Sequence, residues 1–132
     1  MGEHAKAPVI HVIPHGFPAQ PAVRRVSDPA AALQVVAAGR FVQKKGFSVL
    51  IDAAQLLHQR GISVQIAVYG DGPLAPALAR QAGDAGLTNF ALHGWTADLG
   101  SVFDNSDLFC LPSRDEPFGL VIGEAMGRAD GW

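Results

Sequence analysis

The chain is 132 residues long, enough for one compact domain with its own core and too short for two of ordinary size. Apolar residues make up 48% and charged residues 17%, a globular balance that excludes the charge-rich, core-poor class of disordered chains. A net charge of -2 leaves no general basic field for a nucleic-acid backbone, so no nucleic-acid partner is expected and any phosphate must be met by a few placed residues.

Residues 1–32 are rich in proline and small residues and read as a linker holding one short strand, 9–13, between Pro8 and Pro14. Residues 33–132 read as the folded domain. Its first strand is the apolar run 33–38, and residues 47–60 then carry Phe47, Leu50, Ile51, Ala54 and Leu57 at helical spacing, closed by Gly61. A second strand, 64–69, ends at Gly70-Asp71-Gly72-Pro73. The next helix is predicted over 74–85, with Pro73 at the first helical position, where no amide is needed, and Gly86 as its stop. Residues 89–93 form a third strand, 97–105 a short helix, and 108–111 a fourth strand. A polar loop, 112–117, leads to a helix that starts near Gly119.

Short strands alternating with helices predict the α/β class: a doubly wound parallel sheet with helices on both faces, built from right-handed crossovers. Such sheets bind ligands at the carboxyl ends of their strands. The loops 39–46, 70–73, 94–98 and 113–119 are therefore the ones to inspect. The lone cysteine, Cys110, lies in an apolar run, so a buried thiol in a reducing cytoplasm is expected, with no internal disulfide. No apolar stretch reaches the length of a membrane span, and no signal-peptide pattern opens the chain. His4, His11, His15, His58 and His93 are scattered, which predicts no zinc site, and no Asp-x-Asp metal-nucleotide motif occurs.

The strongest chemical signal is Glu116-Pro117-Phe118-Gly119-Leu120-Val121-Ile122-Gly123-Glu124. Glu116 lies in a loop, Glu124 in the second turn of the helix after it, and both can face one cleft. Gly119 lets a ligand approach the backbone, and first-turn amides with the helix dipole can receive anionic oxygens. Chosen blind, two such glutamates are more often a solvated loop acid and an exposed helix residue; the surrounding sequence argues otherwise. In Gly39-Arg40-Phe41-Val42-Gln43-Lys44-Lys45-Gly46, an arginine and a lysine five apart at a strand's carboxyl end can both reach one diphosphate, with Lys44 the weaker candidate. The Gly70-Asp71-Gly72-Pro73 segment mimics a dinucleotide fingerprint through Ala75. No acid follows the next strand to hold an adenosine ribose, so a structural turn is the favoured reading.

Asp107-Leu108-Phe109-Cys110-Leu111-Pro112-Ser113, followed by residues 116–126, resembles the signature of GT-B retaining glycosyltransferases of the group 1, family 4 type. The resemblance covers about residues 9–128 and implies the C-terminal, donor-binding domain of such an enzyme. It places Glu116 toward the transferred sugar and Glu124 on the ribose hydroxyls, with Phe118, Gly119 and Leu120 contacting sugar and diphosphate through the backbone. Arg40 and Lys45 would stabilise the departing diphosphate and, with Glu116, form the catalytic set. Gly70 and Gly72 would line the donor cleft, and Trp95 and Thr96 would border the base. His15 departs from the asparagine usual in the family at the hinge. The implied reaction is retaining transfer of a hexose from a nucleoside-diphosphate sugar to an acceptor hydroxyl, with no cofactor and no metal.

By the same resemblance the N-terminal acceptor domain is absent, and the chain stops after Met126 where the family continues with a further strand and helices. The isolated chain is then expected to be inactive and either marginally stable or self-associated through the uncovered surface, while the whole enzyme would be cytoplasmic or peripheral to the inner membrane face. Two other readings compete: a non-catalytic nucleotide-binding fragment, and a sugar-nucleotide epimerase of GT-B architecture.

Overall fold

The computed structural model describes residues 28–116 and 119–127. The short strand predicted at 9–13 lies outside them. Four parallel strands, β1 (Leu33–Ala38), β2 (Val64–Tyr69), β3 (Phe90–His93) and β4 (Leu108–Phe109), form one sheet in the order β3-β2-β1-β4. They alternate with helices α1 (Phe47–Gln59), α2 (Ala75–Asp84), α3 (Leu99–Asp104) and α4 (Leu120–Met126).

The strand order fixes where the helices lie. The first two crossovers step the same way across the sheet, whereas the third returns past β2 and β1 to reach β4. With right-handed crossovers, α1 and α2 cover one face and α3 the other. The contacts agree: α1 packs on α2 and α3 on α4. This is the doubly wound arrangement expected from the sequence.

Register explains the core. Val35 and Ala37 of β1 lie beside Ile66 and Val68 of β2, which lie beside Phe90 and Leu92 of β3, so all six point to one face. Helix α1 answers with Phe47, Leu50, Ile51 and Ala54, a buried stripe at helical spacing. Leu78 of α2 joins the same cluster. On the other face Val36 and Ala38 are also buried, and Phe103 of α3 meets Phe109 of β4 edge to face at 5.4 Å. Further along that face, toward β3, Gln65, Ala91 and His93 are exposed.

Both glycine stops act as predicted. After α1, Gly61 takes a left-handed φ of 69°, its N–H donates to the His58 carbonyl at 3.1 Å, and the Ile62 N–H donates to Leu57 at 3.0 Å. Gly86 closes α2 in the same way, with Leu87 donating to Ala82 at 3.3 Å.

Three local expectations need correction. Pro73 does not open α2. The Ala75 N–H donates to the Gly72 carbonyl at 3.1 Å, closing a turn over residues 72–75, and the first helical bond runs from the Leu78 N–H to the Leu74 carbonyl at 2.9 Å, so the helix begins at Ala75 with Pro76 in its first turn. Strand β4 ends at Phe109 instead of residue 111. The Cys110 N–H still reaches the Val36 carbonyl at 2.8 Å, but two residues on, where the next ladder bond would form, Pro112 has no N–H. Cys110 is partly buried against the core and not fully enclosed, because this short edge strand covers it from one side only.

Candidate functional site

The loop after β1 is anchored by one side chain. Phe41 is buried and meets Phe47 edge to face at 5.5 Å, which turns the charged residues around it outward. Full burial of a phenylalanine is worth about 1.5–3 kcal/mol, enough to hold a loop whose other residues are polar. Arg40 and Lys44 are exposed, and Lys45 is intermediate, at the end of a 3-10 turn over Gln43–Lys45.

The loop after β2 lies flush against it. The Gly39 N–H donates to the Tyr69 carbonyl at 3.0 Å and the Phe41 N–H to Asp71 at 2.9 Å. A Cβ on Gly70 would stand 1.9 Å from the Gly39 carbonyl oxygen, and one on Gly72 would stand 2.7 Å from that of Phe41. Both glycines are thus required by backbone approach, which supports the structural-turn reading of this segment. The Gly70 N–H in turn donates to the His93 carbonyl at 3.3 Å, so the stitching runs past the strand ends from β1 to β3.

At the end of β3, Tyr69 and His93 stack with ring centroids 4.6 Å apart. Trp95 follows, 75% exposed. The Thr96 hydroxyl accepts from the Asp98 N–H at 3.1 Å, and the Asp98 carboxylate accepts from the Ser101 N–H to cap α3. Thr96 is therefore engaged in the turn that starts α3.

The decisive meeting is between β1 and β4. Because the third crossover reverses direction, the loops after these neighbouring strands lead to helices on opposite faces, which makes this the topological switch point of the sheet. Lys45 and Glu116, 71 positions apart, form an ion pair there, with side chains only 17% and 20% exposed. The Ser113 hydroxyl donates to the same Glu116 oxygen at 3.1 Å, and the Gly119 N–H donates to the other at 3.3 Å. The Lys45 hydrogen bond, foremost among these contacts, holds the Glu116 carboxyl below the usual glutamate range despite some desolvation.

Of the residues singled out in the sequence, the fold brings Lys45 and Glu116 into contact and sets Gly70 and Gly72 against the neighbouring loop. Gly119 is buried, caps α4 at a left-handed φ of 57° and touches Glu116; Leu120 is exposed in the first turn, and Glu124 is exposed one turn on. Phe118 lies outside the described residues. Ser113 was not among the predicted site residues, although its Ser-x-x-Glu spacing to Glu116 is that of a capping box and could have flagged it.

A model of the glycosyl transferases group 1 family matches residues 32–129. The chain belongs to this family. Among its relatives, the alpha-D-kanosaminyltransferase of Streptomyces kanamyceticus is 37% identical over 98 residues, covering 70% of this chain and 25% of that protein. The solved structure of Staphylococcus aureus TarM, a complex that includes UDP, superposes with a TM-score of 0.69 at 26% identity over 81% of this chain and 22% of that one. The C-terminal domain of the group 1 protein LpcC from Francisella tularensis does so with a TM-score of 0.64 at 25% identity over 74% of this chain and 54% of that one. These matches make the sheet the GT-B kind of Rossmann-like domain. The group 1 chain spans 25–32% of the length of the first curated relatives it matches. None of its helices, among the described residues, is long and apolar enough to cross a membrane.

Proposed function

We propose that this chain is the donor-binding portion of a retaining glycosyltransferase that moves a hexose from a nucleoside-diphosphate sugar to an acceptor hydroxyl. The observation that carries the reading is the Lys45–Glu116 pair at the switch point between β1 and β4, the place where open α/β sheets receive ligands. Lys45 supplies a point charge and Arg40 an exposed guanidinium on the same loop, a combination suited to a departing diphosphate. Protein cations take the part that a metal plays in other nucleotide-sugar enzymes, so the reading calls for no cofactor. Glu116 faces the sugar, Glu124 the ribose, and the backbone of residues 118–120 the sugar and diphosphate.

Order along the sheet edge supports the remaining assignments. Neighbouring strands lie about 4.8 Å apart, so the loops after β4, β1, β2 and β3 spread over about 14 Å. A donor laid along this edge has its sugar near Glu116, its diphosphate near Arg40 and Lys45, and its base toward Trp95 and Thr96, with Gly70 and Gly72 beneath; the ribose role of Glu124, on α4 beyond β4, rests on the family resemblance and not on this order. The likeness to the LpcC C-terminal domain supports the place of this chain in a larger enzyme whose acceptor side is a separate domain. Transfer then requires that domain, and the isolated chain binds donor without turnover. The reading places the enzyme in the cytoplasm.

Titration with UDP, GDP and ADP, followed by nuclear magnetic resonance, tests the binding. Shifts are expected at Lys45, Gly70 and Trp95, and their absence with all three nucleotides would overturn the reading. In the whole enzyme, Arg40→Ala or Lys45→Ala is expected to lower turnover by about 100-fold, the scale of removing a transition-state donor.

A further inference from the structure

The two loops that carry Lys45 and Glu116 do more than meet at their side chains. They run antiparallel to each other, with backbone contacts on either side of Lys45. The Arg114 N–H donates to the Lys44 carbonyl at 2.8 Å. On the other side, Gly46 is buried at a left-handed φ of 72°, so close to Pro112 that a Cβ there would lie 2.1 Å from the Pro112 carbonyl oxygen and 3.0 Å from its carbon. Gly46 also ends the 3-10 turn and caps α1, its carbonyl accepting from Val49 at 3.0 Å and from Leu50 at 3.2 Å. It therefore cannot retreat from Pro112 without moving the start of a helix whose Phe47, Leu50 and Ile51 are packed in the core.

We propose that Gly46 is a positioning residue of the site: its missing side chain sets how closely the loop after β4 docks on the loop after β1, and so fixes Glu116 against Lys45. The proposal rests on the donor-site reading for its meaning in catalysis, but its structural content stands apart from it. A side chain at position 46 would displace Pro112 by about the difference between 2.1 Å and an ordinary contact, and Ser113 and Glu116 follow Pro112 in the chain. Glu116 is then drawn away from Lys45, the cross-loop donor that foremost holds its carboxylate ionised, while Ser113 and Gly119 move with its own loop.

Gly61 provides the control. It has nearly the same backbone, φ 69°, yet a Cβ there meets nothing within 4 Å, so alanine at position 61 carries the conformational cost without the collision. The experiment is a carboxyl titration of Glu116 by nuclear magnetic resonance in the wild-type chain, in Gly46→Ala and in Gly61→Ala, with folding checked by circular dichroism and no nucleotide present. Gly46→Ala is expected to raise the Glu116 midpoint toward that of an ordinary glutamate, and Gly61→Ala to leave it in place. An unmoved midpoint in folded Gly46→Ala, or an equal rise in both variants, overturns the proposal. If Gly46→Ala does not fold, Arg114→Pro carries the test, because it deletes the N–H given to Lys44 in an exposed loop; an unmoved midpoint there also overturns it. Adding UDP, GDP and ADP in turn afterwards separates the two readings: a Gly46 effect with none of the three bound would refute the donor site and leave the positioning role intact.

Discussion

Substitution of Gly70 by alanine offers a quantitative check on the stitched strand ends. The new Cβ would lie 1.9 Å from the Gly39 carbonyl oxygen, where a real Cβ essentially never comes within 3.0 Å, so one backbone must move by more than an ångström. The neighbouring bond from the Gly39 N–H to Tyr69, at 3.0 Å, does not survive such a shift. Its loss costs about 1 kcal/mol. Backbone displacement in a well-packed region adds about 1–3 kcal/mol. The total, about 2–4 kcal/mol, is a large share of a whole-domain stability of about 5–15 kcal/mol. At about 4–8 °C per kcal/mol for a domain of this size, the melting temperature should fall by about 10–30 °C. Gly61→Ala serves as reference, since it places alanine at positive φ with open space around it and should cost about 1–2 kcal/mol. Thermal melts by circular dichroism on both variants decide the matter. A Gly70→Ala variant no less stable than Gly61→Ala would refute the close-approach argument.

Glu116 makes a signed prediction. Its folded-state pKa is depressed, chiefly by the Lys45 hydrogen bond, so its contribution to stability is present above the ordinary glutamate value, about 4.3, and is lost as the pH falls through the depressed value. Urea unfolding at a series of pH values should show wild type above Glu116→Gln at neutral pH and the two converging in acid; a gap that stays constant to low pH counts against the pairing. Burial raises the Cys110 thiol pKa, so its reaction with a disulfide reagent at mildly alkaline pH should be slower in the native chain than in urea, and equal rates would place the thiol in solvent. Leu108, Leu120, Ile122 and Met126 are 52%, 47%, 38% and 43% exposed, and we expect the chain to associate through them at rising concentration. Sedimentation should show this association weakened by Ile122→Ser, and a monomer at the highest soluble concentration speaks against it.

The fold was legible where local signals agreed. Strands β1 and β2 have the bounds that their apolar runs predict, and Gly61 and Gly86 stop the helices before them for the conformational reason that makes glycine a stop. Misreadings arose where a neighbour in space intervened. Pro73 suits a first helical position by itself, yet bonds between Phe41 and residues 71 and 74 hold this segment against the β1 loop, and the first carbonyl to accept a helical bond is that of Leu74. The apolar run 108–111 looks like four strand residues, but its partner β1 needs an N–H that Pro112 lacks. The start of β4 was read correctly at Leu108, but not the bond that precedes it: the Asp107 carboxylate accepts from the Gln34 N–H at 2.8 Å, a side chain serving a main-chain ladder. For the site, the motifs put Lys45 and Glu116 at strand ends, but only the order β3-β2-β1-β4 makes those ends neighbours. Gly46 was hidden for a related reason. Its sequence shows only a glycine before a helix, and nothing local reveals the close approach of Pro112 that Gly61, with empty surroundings, lacks.

The ion pair that marks the site also occupies it. Lys45 cannot give its full charge to a diphosphate while bound to Glu116, so a donor that draws the ammonium away removes the foremost cause of the lowered Glu116 pKa. The ligand's own negative charge acts in the same direction, since a nearby anion disfavours ionisation of a carboxyl. Bound nucleoside diphosphate should therefore raise the Glu116 midpoint above its value in the free chain. By linkage, Glu116 takes up a proton on binding at pH values between the two midpoints, and its contribution favours affinity below that window and fades as the pH rises through it. The measurement is the Glu116 carboxyl titration with and without saturating UDP, with affinities for wild type and Glu116→Gln taken across the same range. Glu116→Gln should lose this part of the pH dependence while keeping whatever arises from the phosphate's own ionisation. If UDP binds and the Glu116 midpoint stays where it is or falls, Lys45 has not exchanged partners, and the diphosphate is held by Arg40 or by the backbone instead.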